Sequence, residues 1–373
     1  YTTFGTGKWH NEREAFEASF QQAKTVYLGG MADHYAISVR DYDSLGRLGE
    51  PEIKGYSTDI FTQSAIDFIK SQEGATNPFF CYVAFTVPHD PYSPNPESIG
   101  KYPDGSIPLP PNYLPLHPFQ FDQLTVRDEN LTGWPRKPEV IQMLLSDYYG
   151  MISHLDSQIS KVITALKETG QFENTIIVYA ADNGLAAGSH GLLGKQSLYE
   201  HSIKVPLIIQ GPGIPKDKSF DAFAYIHDIY PTLAELAGLP KREDLDGKSL
   251  VPVVRGDQKQ IREVMFNAYR NTVRSVRKDN WKLIRYPERD FTQLYDLAKD
   301  PHEMNNLAED LTYFNKKKEL IDLLGKSQLS FGDTVSYTAK NLKPLAYNPD
   351  TLVRKPDQWQ PEYVLRRYFN QKE

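Results

Sequence analysis

The stretch Thr175–Gly184, TIIVYAADNG, decides the fold, because a continuous apolar run breaks directly into three polar turn-forming residues. Runs without alternation are what a sheet covered on both faces produces. Pro78–Val87 (PFFCYVAFTV) and Val205–Ile209 (VPLII) read the same way. They stop as sharply, at Pro88-His89-Asp90-Pro91 and at Gly211-Pro212-Gly213. In open α/β sheets ligands lie beyond the carboxyl ends of strands, so a site is expected at these three exits.

Helical patterns fill the intervals. Ser57 or Thr58 is placed to cap a helix running to about Gln72, with Ile60, Phe61, Ile66, Phe68 and Ile69 near its inner side. After Pro138, apolar residues in steps of three and four continue from Val140 to Leu166, and Gly170 is a natural stop. A shorter helix is expected over Ile229–Ala237. Pro91–Arg136, rich in Pro, Asn and Asp, reads as a long excursion over the surface. From about Gly256 the pattern changes to short strands at Val264–Tyr269, Thr272–Arg277, Trp281–Tyr286 and Gln293–Leu297, with a turn at Lys278-Asp279-Asn280. A helix near Tyr313–Ser327 and a tail follow. The expected architecture is α/β: a mixed, mostly parallel central sheet sandwiched by helices over 1–255, and a smaller C-terminal part over 256–373 built on an antiparallel sheet.

With 373 residues, 40% hydrophobic and 24% charged, the chain has the composition of a globular protein of about two domains. A net charge of −6 argues against a general nucleic-acid binder. The single cysteine, Cys81, excludes an internal disulfide and a cysteine zinc cluster. It sits in an apolar strand and reads as a small core residue. No apolar run approaches the length of a membrane span.

Asp182 and Asn183 offer hard oxygen ligands at a strand end, of the kind Ca²⁺ or Mg²⁺ takes, although Asp-Asn-Gly is more often a plain turn. His89 lies just past a second strand, where a histidine can give a proton to a leaving alkoxide or can simply bond a nearby carbonyl. Lys8 and His10 pair a fixed cation with a titratable ring two residues apart, on one face of a strand. Lys195 follows the Gly-rich loop after the Asp-Asn pair. Two lysines, two histidines and hard oxygens match what sulfuryl or phosphoryl transfer needs.

At this point the chain resembles the type I sulfatases of the alkaline-phosphatase superfamily. The stretches are TGKWHNE (Thr6–Glu12), VPHDPYSP (Val87–Pro94), AADNG (Ala180–Gly184), HGLLGKQSLYEHSIKVPLIIQGPG (His190–Gly213), HDIYPTLAELAGLP (His227–Pro240), DGKSLVPVV (Asp246–Val254), WKLIRY (Trp281–Tyr286) and LYDLAKDPHEMNNLA (Leu294–Ala308). The resemblance implies a catalytic domain over 1–255 and hydrolysis of sulfate esters, on a sulfated small molecule or polysaccharide. It implies that Asp182 and Asn183 supply half of a site for calcium rather than magnesium. Lys8 and Lys195 would grip sulfate oxygens, His89 would protonate the leaving alcohol, and His10 would help break down a covalent sulfate intermediate. His190 matches no single shared role. Periplasmic or extracellular location is expected from the family alone, and the oligomeric state is left open.

The family's nucleophile is a formylglycine made from the first residue of Cys/Ser-x-Pro-Ser-Arg, and an Asp-Asp pair completes its metal site. Neither motif occurs in these 373 residues. Both precede the GKWH segment in the family, so a further segment upstream of Tyr1 is expected to carry them. Little turnover is expected of the chain as it stands. A phosphonate monoester or phosphodiester hydrolase, or an inactive glycan-binding relative, fits the same residues. The cations of Lys259–Arg289 would either read an anionic glycan or form the solvated face of an exposed sheet.

Overall fold

The computed structural model describes residues 1–355 and 360–369. The rest of the anticipated 256–373 region, 356–359 and 370–373, lies outside the described residues. Two compact units emerge. One comprises Tyr1–Leu109, Arg136–Thr175 and Lys355–Glu373, and the other Pro110–Pro135 and Ile176–Arg354. The chain is thus divided elsewhere than at residue 255, with Ile176 onward grouped with the antiparallel sheet.

The first unit is built on three parallel strands, β1 (Thr2–Trp9), β2 (Gln22–Leu28) and β5 (Phe79–Ala84), in the order β2-β1-β5. The short helix α1 (Arg13–Ser19) makes the crossover from β1 to β2. A two-residue pair, β3 (Ser38–Val39) and β4 (Glu52–Ile53), precedes α2 (Ser57–Ser71). Phe68 of α2 stacks on Phe4 of β1 at 4.5 Å, and Phe16, Phe20 and Val26 form an aromatic-rich cluster with Leu48. Pro138 opens α3 (Pro138–Glu168) with its φ preset for a helix, and Val140, Ile141, Leu144, Met151 and Leu155 are its buried face. Glu362–Phe369 forms the last helix, α8, whose Tyr368 hydroxyl donates to Asp147 of α3 at 2.7 Å.

In the second unit β6 (Ile177–Ala180) pairs antiparallel with β7 (Leu207–Gln210), and the one-turn α4 (Glu200–Ile203) lies between them in sequence. Helix α5 (Ile229–Leu236) and the turn α6 (Val251–Val254) lead to a four-stranded antiparallel sheet ordered β11-β10-β9-β8. Its strands are β8 (Val264–Tyr269), β9 (Val273–Lys278), β10 (Trp281–Tyr286) and β11 (Phe291–Asp296). Asp279, at φ 53°, makes the hairpin turn expected there. Leu320 and Leu324 of α7 (Phe314–Ser330) pack with Val276, Leu283 and Leu294 of this sheet.

Two expectations are corrected. The apolar strands are not covered on both faces, since Phe80 (42%), Tyr82 (36%) and Ile208 (60%) are exposed while their neighbours are not. A strand alternates its side chains between faces whatever its composition, so an apolar run does not guarantee a second cover. Ser57 does not cap α2. Tyr56 takes the cap position, and the Ser57 hydroxyl bonds elsewhere in the unit. Among the described residues no helix is long and apolar enough to cross a membrane.

Candidate active site

Because β1 and β5 run parallel, their carboxyl ends meet at one edge of the first sheet. Gly7 pairs with Ala84 there, at φ +95° and beside a register shift between Gly5 and Gly7. A Cβ on Gly7 would stand 2.0 Å from the Ala84 carbonyl oxygen. The bulge therefore needs glycine, and bulges re-aim the side chain that follows, here half-buried Lys8. The strand ends at Trp9, so His10 lies just past it rather than on it. His10 is exposed, its ring rests against the Gly29-Gly30 turn, and with Trp9, Asn11, Glu12 and Leu28 it lines a hollow of about 620 Å³.

His89 leaves the end of β5 between two cis prolines, Pro88 and Pro91. Its Nδ1 lies 2.9 Å from the Asp90 carbonyl oxygen and 3.1 Å from Asp90 Oδ1, and because both oxygens only accept, Nδ1 is the donor. Its backbone N–H donates to the Thr86 carbonyl at 2.9 Å, and its carbonyl accepts from His34 Nε2, also at 2.9 Å. Lys8, His10 and His89 thus all lie at or beyond the carboxyl ends of two adjacent parallel strands.

Asp182, Asn183 and Lys195 belong to one loop of the second unit. Asp182 Oδ1 accepts the Asn183 N–H at 3.0 Å. The limbs of the loop are joined by Ala186 N–H to Gly194 O (2.9 Å) and Gly188 N–H to Leu192 O (2.8 Å). Gly184 donates to Ser202 O at 2.9 Å, and a Cβ there would meet His201 O at 2.0 Å, so α4 seats directly against the Asp-Asn turn. Ahead of Lys195, the Glu129 carboxylate accepts the N–H groups of Leu193 and Gly194, both at 2.9 Å. Asp128 takes the Gln196 side chain at 2.7 Å.

Helix α4 is fixed by ions. Lys282, with 0% side-chain exposure, lies 2.8 Å from Glu200 and 2.7 Å from Glu303, and Arg277 is 2.9 Å from the other Glu200 oxygen. Glu303 also accepts the Glu200 N–H at 2.6 Å. Desolvation pushes the Glu303 carboxyl up. Desolvation also pushes Glu200 upward, but Lys282 and Arg277 outweigh it and hold that carboxyl below its usual range. His190 is a packing residue: its ring stacks on Tyr199 at 4.0 Å, and burial lowers its pKa to about 4.

Most of the cations of Lys259–Arg289 are engaged within the protein, while Lys259 and Arg270 are exposed. Arg262 pairs with Asp228, Arg274 with Asp333, Arg277 with Glu200, Lys278 with Glu319, Arg285 with Asp290 and Arg289 with Asp122. Arg270 lies over the Tyr269 ring. Arg262, Arg274 and Lys282 serve as internal countercharges, whereas the Lys278–Glu319 pair is a surface one. Cys81 is half-buried rather than a full core residue, and burial of its thiol pushes the pKa up to about 12, far from nucleophilic thiolate.

Asp182 and Asn183 are hard oxygen donors, exposed and half-buried respectively, and as such fit part of a calcium shell. Among the described residues no three His, Cys, Asp or Glu side chains converge to complete one. Missed from the sequence were Glu129, Glu200 and Glu303, and the buried pairing role of Lys282, which stood only among the cations of Lys259–Arg289. Glu200, Lys282 and Glu303 lie within the matching motifs and Glu129 lies in none, and nothing local marks what any of them holds, since their partners lie 64, 65, 82 and 103 residues away.

Comparison with known proteins shows the family of the chain. Residues 1–239 match the Sulfatase family model, and residues 188–329 match the model for the C-terminal region of N-sulphoglucosamine sulphohydrolase. The chain is 26% identical to N-acetylglucosamine-6-O-sulfatase of Bacteroides thetaiotaomicron, over 89% of this chain and 71% of that one. It is 31% identical to arylsulfatase K of Gallus gallus, over 75% of this chain and 57% of the relative. It spans about half the length of several curated relatives, 52% of a sulfatase from Formosa agariphila among them. A solved protein in complex with its substrate D-glucosamine-2-N,6-O-disulfate superposes with a TM-score of 0.75 at 24% identity, covering 90% of this chain and 80% of that one. Phosphonate monoester hydrolase of Agrobacterium radiobacter shares the fold with a TM-score of 0.60 at 24% identity, over 74% and 62%. With a family model covering well over half of its length, the chain belongs to the sulfatase family.

Proposed function

We propose that this chain carries the anion-gripping and acid–base side chains of a hydrolase of sulfate esters on carbohydrates. The observation that carries the reading is the anchoring of His89 just beyond the carboxyl end of β5, where its Nδ1 donates to the Asp90 carbonyl oxygen at 2.9 Å and lies 3.1 Å from the Asp90 carboxylate. Lys8 in the first unit and Lys195 in the second are each cations of the kind that binds sulfate oxygens and neutralises their charge. His10, exposed just beyond β1, moves a proton when the covalent sulfate is broken down. Asp182 and Asn183 would contribute oxygens to a calcium ion, which would supply positive charge for an anionic ester. The nucleophile comes from residues other than these 373, because the sequence holds no formylglycine motif. The similarity to a 6-O-sulfatase of N-acetylglucosamine supports a sulfated amino sugar as substrate.

The test is sulfate release from N-acetylglucosamine 6-sulfate by the protein extended to include a nucleophile-bearing segment. His89→Ala and Asn183→Ala are expected to lower kcat at least ~100-fold without unfolding the protein. Normal turnover by either variant would overturn the assignment. Faster cleavage of the matching phosphonate ester than of the sulfate would move the protein to the phosphonate branch of the same fold.

A further inference from the structure

His34 was not among the residues singled out from the sequence, yet it is 1% exposed and directly behind the proposed acid. Its Nε2 lies 2.9 Å from the His89 carbonyl oxygen. A carbonyl only accepts, so Nε2 carries the proton and Nδ1 is the acceptor. Nδ1 faces the Ser57 hydroxyl at 3.1 Å and the Thr86 hydroxyl at 3.2 Å, and Thr86 in turn donates to Ser57 at 2.9 Å. The His34 carbonyl accepts the Ser57 N–H at 2.8 Å. One ring therefore ties together the loop after β2, the first turn of α2, the end of β5 and the backbone of His89. The donors run in a single direction, Thr86 to Ser57 to His34 to His89, so no member can rotate without unpairing the next. Burial lowers the His34 pKa to about 4, which keeps the ring neutral at physiological pH and preserves Nδ1 as an acceptor.

The geometry points to His34 as a positioning residue: it holds the His89 backbone so that the His89 ring, anchored at Nδ1 by Asp90, keeps a fixed place beyond β5. This rests on the reading of His89 as the acid of a sulfate-ester hydrolase. His34 itself touches no substrate in this scheme.

The experiment uses the 373-residue chain with ¹⁵N-labelled histidine, as wild type, His34→Leu and His34→Gln. The glutamine amide can still donate to the His89 carbonyl, whereas leucine cannot. In the wild type the His34 ring is expected as the Nε2–H tautomer throughout pH 5.5–8 (a range set by the pKa of about 4). Amide exchange at His89 is expected to rise at least ~10-fold in His34→Leu and to return to near wild type in His34→Gln. In the sulfate-release assay, His34→Leu is expected to lose ~10–100-fold in kcat with KM within about twofold, again with rescue by glutamine. An Nδ1–H tautomer, or His89 exchange unchanged by leucine in a folded protein, overturns the proposal, as does unchanged kcat. Should His34→Leu not fold, Ser57→Ala decides: His89 exchange is expected to rise at least ~3-fold, and no rise overturns it. If no variant or wild type releases sulfate, the hydrolase reading falls, while the tautomer and exchange results still decide whether His34 holds His89.

Discussion

The loop bearing His89 and the loop bearing Asp182, Asn183 and Lys195 are held by opposite chemistries. Behind His89 stand neutral groups, an imidazole and two hydroxyls, each bonded to the next. Behind the second loop, α4 is clamped by Arg277, Lys282, Glu200 and Glu303, two cations against two carboxylates. A neutral network loses little when one bond is cut. An ionic one balances large opposing terms, so removing one partner leaves a buried charge uncompensated. The same cluster shows that part of the dense cation run beyond Lys259 is used internally, Lys282 and Arg277 pairing with Glu200 behind α4.

The sharpest way to break this contrast is Lys282→Met, which leaves Glu200 and Glu303 facing one another. A loss of about 3–5 kcal/mol in denaturant-induced unfolding is expected. A loss below about 1 kcal/mol would mean that the ions balance no better than ordinary surface pairs.

Acid separates the regions next. Buried neutral histidines have folded pKa values below the ordinary value of about 6.5, so the unfolded chain takes up protons first and stability falls as pH drops from there towards 4. The second unit has three such rings, His190 (about 4), His117 (about 3) and His201, lowered by burial, against His34 (about 4) in the first. Glu200 adds to the acid loss through its lowered pKa, while Glu303, raised by burial, opposes it. Hydrogen exchange followed in β10 and in α2 should show stability falling by up to about 4 kcal/mol per pH unit in the former and about 1.4 in the latter. Equal slopes would contradict the difference.

Thr86→Val cuts the neutral chain at its first donor and removes one buried hydroxyl. A destabilisation of about 1 kcal/mol is expected by thermal unfolding, well below that of Lys282→Met. Lys318→Ala serves as the floor of the scale. Its pair with Asp322 on α7 is exposed on both sides, and its removal should shift stability by less than about 0.5 kcal/mol.

Local pattern determined much of this protein. Periodicity and punctuation placed α2, α3, α5 and the four strands of the antiparallel sheet close to their observed bounds, because helix and strand periods are written in neighbouring residues. Motif spacing likewise singled out Lys8, His10, His89, Asp182, Asn183 and Lys195. Only the tertiary structure decided what holds them. His34 meets His89 across 55 residues, Glu129 meets Gly194 across 65, and Glu303 meets Glu200 across 103. A side chain's long-range partner has no local period, and a buried cation reads in sequence like a solvated one. The open faces at Phe80, Tyr82 and Ile208 were hidden for the same reason: whether an apolar strand is covered depends on what packs against it, and not on the strand itself.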